Sequence, residues 1–217
     1  MRYPFALFDF DGTVADTKNG IVHAADYALR HYGIEADEKS LLRFVGPTLW
    51  YSFETFFGFS PEQADEAVKY YREYYSEKGI YEAELYPDTL STLQRLRDEG
   101  VTCAIGSSKN EIFVIRALSH FGADGLFDAV IGSTPEGGHS SKYELIGMLS
   151  EELGVEDLSR CVYIGDSKSD WEGAAERGVD FIAAVYDREP AEFSGCDVKW
   201  YARSMAELGQ IILGENI

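Results

Sequence analysis

The sequence has few basic residues for its length. Lysine and arginine number 19 against 38 aspartates and glutamates, which gives a formal net charge of −19 over 217 residues. Proteins bind nucleic acids and anionic membranes largely by neutralising phosphates with basic side chains. We therefore expect neither a nucleic acid nor a membrane among the partners, and an anionic ligand would need a locally positive site.

Long apolar runs and paired cysteines are also lacking. No stretch approaches the roughly 20 uncharged apolar residues that cross a bilayer. Cys103, Cys161 and Cys196 are odd in number and widely spaced, which favours reduced thiols over disulfides or a zinc site. The apolar start of the chain meets Asp9 too early for a secretory signal. We expect a cytoplasmic protein that is a monomer or a homodimer.

Short runs made up mainly of apolar residues alternate with amphipathic helical patterns over most of the chain. The runs are residues 3–8, 101–106, 127–131, 161–165 and 181–185. The helical patterns are residues 89–98, 111–120, 142–153 and 171–177. Strands without polar alternation are typical of a parallel sheet that is buried on both faces. The sequence therefore predicts an α/β fold in which helices cover both faces of a parallel sheet.

One segment interrupts this alternation directly after the first predicted strand. Residues 16–84 contain no convincing strand pattern, and apolar residues recur there at helical spacing, as from Ile21 to Ala28. We therefore predict a small all-helical domain over residues 16–84. It is inserted into a core domain made of residues 1–15 and 85–217.

Four carboxylates and a hydroxyl follow three of the predicted strands. They are Asp9, Asp11, Ser107, Asp166 and Asp170. Because ligands bind at the carboxyl ends of parallel strands, we expect these side chains to converge at one edge. Each residue alone is better explained as a helix cap or a turn residue. Together the carboxylates would repel one another, and Mg²⁺, which prefers carboxylate, water and phosphate oxygens, resolves that conflict.

Four segments of the chain match known catalytic motifs in their sequence and in their order along the chain. They are Asp9-Phe10-Asp11-Gly12-Thr13-Val14, Ser107, Lys142 within Ser140-Ser141-Lys142, and Gly165-Asp166-Ser167-Lys168-Ser169-Asp170. These segments resemble the four motifs of the haloacid dehalogenase superfamily, in its phosphatase branch. The resemblance covers nearly the whole chain. It implies a Rossmann-like core with a movable helical cap, as in the phosphoglycolate phosphatase and β-phosphoglucomutase group.

The resemblance and the chemistry of carboxylates imply a role for each residue. Asp9 would attack phosphorus and form an aspartyl-phosphate, while Asp11 would protonate the leaving alkoxide and then activate water. Lys142 and Ser107 would offset charge on the phosphoryl oxygens. The implied Mg²⁺ ligands are Asp9, Asp166 and the backbone carbonyl of Asp11, and Asp170 either completes this ligand set or orients it.

The predicted substrate contacts are less specific. They are Ser107, Ser108, Lys142, Gly46 and Gly12. Gly12 permits a turn conformation that is closed to residues with a β-carbon. In similar proteins the loop equivalent to the one that holds Gly46 recognises the leaving group. An ordinary helix–helix turn explains Gly46-Pro47 equally well. Lys109 is either a phosphate ligand or an exposed lysine.

The expected reaction is hydrolysis of a small-molecule phosphate ester. Phosphoglycolate, a nucleoside monophosphate and a sugar phosphate all remain open as substrates. A sugar phosphate mutase shares nearly every motif and is the alternative enzyme. Asp11 argues against a dehalogenase, which has no alkoxide to protonate. A catalytically silent binding protein on the same fold is a third alternative, and the presence of Asp9 and Asp166 argues against it.

Overall fold

The computed structural model describes residues 2–136, 138, 141–187 and 189–215, and the chain divides into two compact units. The core unit comprises Met1–Ala15 and Leu85–Ile217, and the helical unit comprises Asp16–Glu84. No helix within these described ranges is both long enough and apolar enough to cross a membrane.

The described residues form the following strands and helices. The strands are β1 (Phe5–Phe8), β2 (Ala15–Asp16), β3 (Glu84–Leu85), β4 (Thr102–Asn110), β5 (Ala129–Ser133), β6 (Cys161–Gly165), β7 (Asp180–Ala184) and β8 (Trp200–Ala202). The helices are α1 (Lys18–Arg30), α2 (Glu38–Leu41), α3 (Leu49–Phe57), α4 (Pro61–Glu77), α5 (Thr89–Asp98), α6 (Glu111–His120), α7 (Lys142–Glu152), α8 (Lys168–Arg177) and α9 (Met205–Leu213).

The core unit is built on a six-stranded parallel sheet in the order β5-β4-β1-β6-β7-β8. Phe5 of β1 lies opposite Thr102 of β4 on one side and Cys161 of β6 on the other. All five residues of β6 are buried, as are the last three of β1. Successive side chains of a strand point to opposite faces, so burial of consecutive residues means that both faces of the sheet are covered. The predicted α/β fold with a parallel sheet is confirmed.

Two pairs of helices pack against this sheet, and α6 packs on β4 and β5. α7 and α8 contact each other, α7 also contacts β4 and β5, and α8 contacts β6 and β7. α5 and α9 likewise contact each other, and they pack on β4 and β8 respectively. The apolar cluster under α7 and α8 includes Leu7, Ile146, Leu149 and Tyr163, all fully buried. Removal of these large side chains from water is the main stabilising contribution to the core unit.

The sequence patterns missed β8 and α9 at the end of the sheet. A strand of three residues, Trp200–Ala202, is too short to show a period. α9 does carry a start signal, because the Ser204 hydroxyl accepts a hydrogen bond from the backbone N–H of Glu207. A serine followed three residues later by a glutamate is a known signature of a helix N-terminus.

The helical unit depends on a close approach of backbone between α1 and the turn after α4. A Cβ atom built on Gly20 of α1 would lie 2.1 Å from the carbonyl oxygen of Gly79. Alanine has a higher helix propensity than glycine by about 1 kcal/mol, and this gain would offset part of the energetic cost of the clash. The contacted atom belongs to the backbone, so the two segments must move apart to relieve the overlap.

We expect Gly20→Ala to lower the free energy of unfolding by about 1–3 kcal/mol, because overpacking against backbone outweighs the gain in helix propensity. Urea denaturation measures the change. Asn19→Ala is the matched control, since Asn19 is exposed on the same helix and alanine there should not destabilise the protein. A Gly20→Ala protein as stable as the wild type would contradict this account of the packing.

Candidate active site

The carboxyl ends of β1, β4 and β6 place the predicted site residues next to one another. β1 lies between β4 and β6 in the sheet, and Asp9 directly follows β1. The backbone N–H of Asp9 donates to the carbonyl of Ile164 over 2.8 Å, which extends the pairing of β1 with β6. Ser107 lies in the last part of β4, and Asp166 directly follows β6. The three side chains are buried at the same edge of the sheet.

A buried lysine lies between two of the carboxylates. Lys142 begins α7, and its Nζ is 2.7 Å from Asp9 Oδ1 and 3.0 Å from Asp170 Oδ1. The side chains of Lys142, Asp9 and Asp170 are 7%, 10% and 0% exposed. The Lys142 ammonium thus forms close ion pairs with both carboxylates. One cation therefore serves two buried carboxylates.

Burial and the charge of the ion-pair partner shift the pKa of each of these groups in opposite directions. Burial raises the pKa of Asp9 to about 6, although the Lys142 ammonium acts to lower it. Burial alone would lower the pKa of Lys142, but the carboxylates of Asp170 and Asp9 outweigh it and hold that pKa well above its ordinary value. Lys142 is thus firmly cationic. When both are ionised, Asp9 and Asp170 carry two negative charges against the single positive charge of Lys142.

A third buried carboxylate lies beside these two and completes a candidate metal site. Asp9, Asp166 and Asp170 are all buried, and each contributes a carboxylate oxygen such that these atoms lie within 4.8 Å of one another. Buried carboxylates remain ionised when they are paired with cations or coordinate a metal. Lys142 supplies one positive charge to this cluster. The oxygen donors and the remaining negative charge fit a hard divalent cation.

The start of α8 holds Asp170 in place. Ser167 caps α8, and Asp170 Oδ2 accepts hydrogen bonds from the Ser167 backbone N–H over 3.0 Å and from the Ser167 hydroxyl over 2.6 Å. This is a reciprocal capping arrangement, because the Ser167 hydroxyl in turn accepts from the Asp170 N–H. One oxygen of Asp170 therefore caps the helix while the other faces Lys142.

Three glycines leave space for the charged side chains. A Cβ atom at Gly12 would lie 2.1 Å from Asp166 Oδ2, one at Gly165 would lie 2.4 Å from Asp170 Cβ, and one at Gly173 would lie 2.4 Å from Lys142 Cβ. Gly12 also has a φ of 75°, which side chains with a Cβ rarely adopt. Gly12 is one of the predicted substrate contacts, whereas the close approaches at Gly165 and Gly173 were not predicted. Gly165 was detectable, since a glycine in a buried strand often marks a close approach.

The Asp11 carboxylate lies outside this cluster and has its own cation. Lys109 Nζ is 2.8 Å from Asp11 Oδ1 and 3.0 Å from Asp11 Oδ2. The Lys109 side chain is 8% exposed, which excludes the alternative of an exposed lysine. The backbone N–H of Lys109 donates to the Ser107 hydroxyl over 3.3 Å, and Ser108 between them is half-buried.

Gly46 belongs to the helical unit. It has a φ of 106° and lies in the turn before α3, where the Thr48 side chain accepts a hydrogen bond from the Tyr51 N–H. This geometry is that of a helix–helix turn, and a contact of Gly46 with substrate stays a prediction. Ser140, in the predicted third motif, lies outside the described residues.

Comparison with known proteins agrees with the four motifs. The family model described as haloacid dehalogenase-like hydrolase matches residues 6–184. A Pseudomonas aeruginosa protein named 5'-nucleotidase is 34% identical over 214 residues, which cover 98% of this chain and 96% of that protein. The Mycobacterium tuberculosis protein named tyrosine-protein kinase PtkA is 32% identical over 86% of this chain, and the match spans 64% of that longer protein.

The fold agrees equally well with solved structures. The crystal structure of a predicted phosphatase from Clostridium acetobutylicum superposes with a TM-score of 0.92 at 32% sequence identity. The superposition covers 99% of this chain and 100% of that one. Together with the family match over most of the chain, this shows that the protein belongs to the haloacid dehalogenase-like hydrolases, an enzyme family.

Proposed function

We propose that this protein is a Mg²⁺-dependent phosphatase that hydrolyses small-molecule phosphate monoesters through an aspartyl-phosphate on Asp9. The observation that supports this most directly is the buried contact of Lys142 with Asp9 and Asp170, beside the carboxylate of Asp166. In a chain of net charge −19, Lys142 and a bound Mg²⁺ ion would together supply the local positive charge that a phosphate requires.

The first half-reaction transfers the phosphoryl group to the enzyme. A carboxylate oxygen of Asp9 attacks phosphorus while the bond from phosphorus to the ester oxygen breaks. The electron pair of that bond goes to the ester oxygen, which takes a proton from the Asp11 carboxyl group and leaves as an alcohol. Lys142 offsets charge on the nucleophile and the phosphoryl oxygens, and the Ser107 hydroxyl donates a hydrogen bond to one of these oxygens.

The second half-reaction returns the enzyme to its starting state. The Asp11 carboxylate takes a proton from a water molecule, whose oxygen attacks phosphorus. The bond between phosphorus and the Asp9 oxygen breaks, and its electron pair restores the Asp9 carboxylate. Inorganic phosphate leaves, and Asp11 again carries the proton needed for the next leaving group.

Asp9, Asp166 and the backbone carbonyl of Asp11 would hold Mg²⁺. The ion, when bound, would neutralise charge on the transferring phosphoryl group. Asp170 would orient the site, because Ser167 and Lys142 already engage its two oxygens. Gly12 leaves the space that Asp166 occupies.

We further propose that the helical unit is a cap that recognises the leaving group, with the Gly46 turn as its contact. Closure of such a cap excludes water and completes a site. The name of the Pseudomonas aeruginosa relative, which matches almost end to end, makes nucleoside 5'-monophosphates the first substrates to assay. Phosphoglycolate and sugar phosphates follow, and retention of phosphate on the sugar would reveal a mutase.

The experiment that tests the function is phosphate release from 4-nitrophenyl phosphate. We expect turnover with Mg²⁺, a fall of at least about 100-fold after removal of the metal with EDTA, and full recovery when Mg²⁺ is returned. The Asp166→Asn variant should need a higher Mg²⁺ concentration for half-maximal rate, because one charged ligand has become neutral. Turnover that persists undiminished in the metal-free protein would refute metal dependence.

A further inference from the structure

We propose that Lys109 is a positioning residue that holds the Asp11 carboxyl group for proton transfer to the leaving group, an inference that rests on the proposed phosphatase function. Its Nζ contacts both Asp11 oxygens, at 2.8 Å and 3.0 Å. The two side chains are 8% and 15% exposed. A charge-assisted contact to both oxygens at a largely buried position restrains the orientation of the carboxyl group, whereas an exposed ion pair would not.

The backbone of β4 directs Lys109 toward Asp11. The pairing of β4 with β5 shifts in register between Ser107 and Asn110, and Lys109 lies within this irregularity. Irregularities of this kind re-aim side chains near active sites. The Lys109 N–H donates to the Ser107 hydroxyl, and a Cβ at Gly132 would lie 2.6 Å from the Lys109 carbonyl oxygen. The local fold thus holds the Lys109 backbone between two neighbours.

The two lysines at this edge of the sheet contact different carboxylates. Lys142 contacts Asp9 and Asp170, whereas Lys109 contacts Asp11, which lies outside the cluster of three carboxylates. The proposed nucleophile and the proposed acid–base residue therefore each have a cation of their own. Loss of Lys109 should leave the contacts of Asp9 intact.

This arrangement predicts which substrates depend on Lys109. As Asp11 gives its proton to the leaving oxygen, its carboxyl group gains negative charge beside the Lys109 ammonium. The interaction is therefore stronger after proton transfer than before it, which is the condition for accelerating that step. An ester with a poor leaving group needs the proton, and an ester with a good leaving group needs it much less.

The test is the leaving-group dependence of kcat/KM, which reports phosphoryl transfer to Asp9. Wild type, Lys109→Met and Lys109→Arg are compared on 4-nitrophenyl phosphate, a good leaving group, and phenyl phosphate, a poorer one. We expect Lys109→Met to lose at least about tenfold more on phenyl phosphate than on 4-nitrophenyl phosphate. Lys109→Arg, which keeps a cation able to contact both oxygens, should recover most of the difference.

A charge-matched control separates this effect from the loss of any lysine. Lys199→Met removes a 2.8 Å contact with Asp180, the first residue of β7, at the opposite end of the strands from the site. This variant should keep the wild-type ratio of the two substrates. If Lys109→Met does not fold, as judged by circular dichroism, Lys109→Gln takes its place with the same expected result.

Two outcomes would overturn the proposal. Equal losses on both substrates would show that Lys109 only supports the structure, and a rise in KM with no change in kcat would show that it binds phosphate directly. Failure of the proposed function gives a different result. In that case the wild type hydrolyses neither ester, or the Asp9→Asn variant retains its activity.

Discussion

Replacement of Asp9 by asparagine should lower kcat by about 10⁴-fold or more, the scale seen when essential members of a catalytic set are removed. The amide keeps the size of the side chain but cannot form the aspartyl-phosphate that the proposed mechanism requires. Phosphate release from 4-nitrophenyl phosphate measures the loss. Acid quenching should trap covalent phosphate on the wild-type protein and none on Asp9→Asn.

Asp180→Asn is the matched control for this substitution. Asp180 begins β7 and contacts Tyr3 and Lys199, so the same chemical change is made at the other end of the sheet. This variant should turn over at close to the wild-type rate. An Asp9→Asn protein within about tenfold of wild type would remove the support for Asp9 as the nucleophile.

The Lys142→Met variant should affect both activity and stability. Methionine resembles the apolar stem of lysine, so the packing is largely kept while the charge is lost. We expect kcat to fall by about 10²–10³-fold, because the charge that stabilises the nucleophile and the phosphoryl group is gone. In the metal-free protein the free energy of unfolding should fall by about 3–5 kcal/mol, since Asp9 and Asp170 are left buried without their cation.

Mg²⁺ distinguishes this explanation from a simple packing defect. A divalent cation bound by the carboxylates supplies positive charge of its own, so Mg²⁺ should stabilise Lys142→Met more than it stabilises wild type. Urea denaturation with and without Mg²⁺ measures the difference. Lys168→Met, which removes an exposed lysine on α8, should change stability by no more than about 0.5 kcal/mol. Equal stabilities of Lys142→Met and wild type would contradict the electrostatic account.

Much of the core unit could be predicted because its signals are local. β6 and α6 have the predicted bounds, since apolar runs bounded by polar turns and amphipathic periods show directly in the sequence. Asp9 and Asp166 could be placed at one edge because the carboxyl ends of parallel strands meet there. β8 escaped prediction because three residues show no period.

The lysines illustrate what local signals cannot supply. Lys142 stands in the first turn of α7, where a positive charge opposes the helix dipole, so its sequence context gives no reason for it to be buried. Its partners Asp9 and Asp170 are far away in the chain. The sequence favoured equally a phosphate ligand and an exposed lysine at Lys109. The buried contact with Asp11 excludes the exposed lysine.

The sequence by itself determined the fold class, the family and the chemical types of the site residues, because these depend on periodicity and on short motifs. Tertiary structure decided which cation faces which carboxylate. The strand order places β1 between β4 and β6, and the irregular end of β4 turns Lys109 toward Asp11 while α7 brings Lys142 to Asp9. Long charged side chains have many possible partners, and the packing of elements distant in the chain selects one.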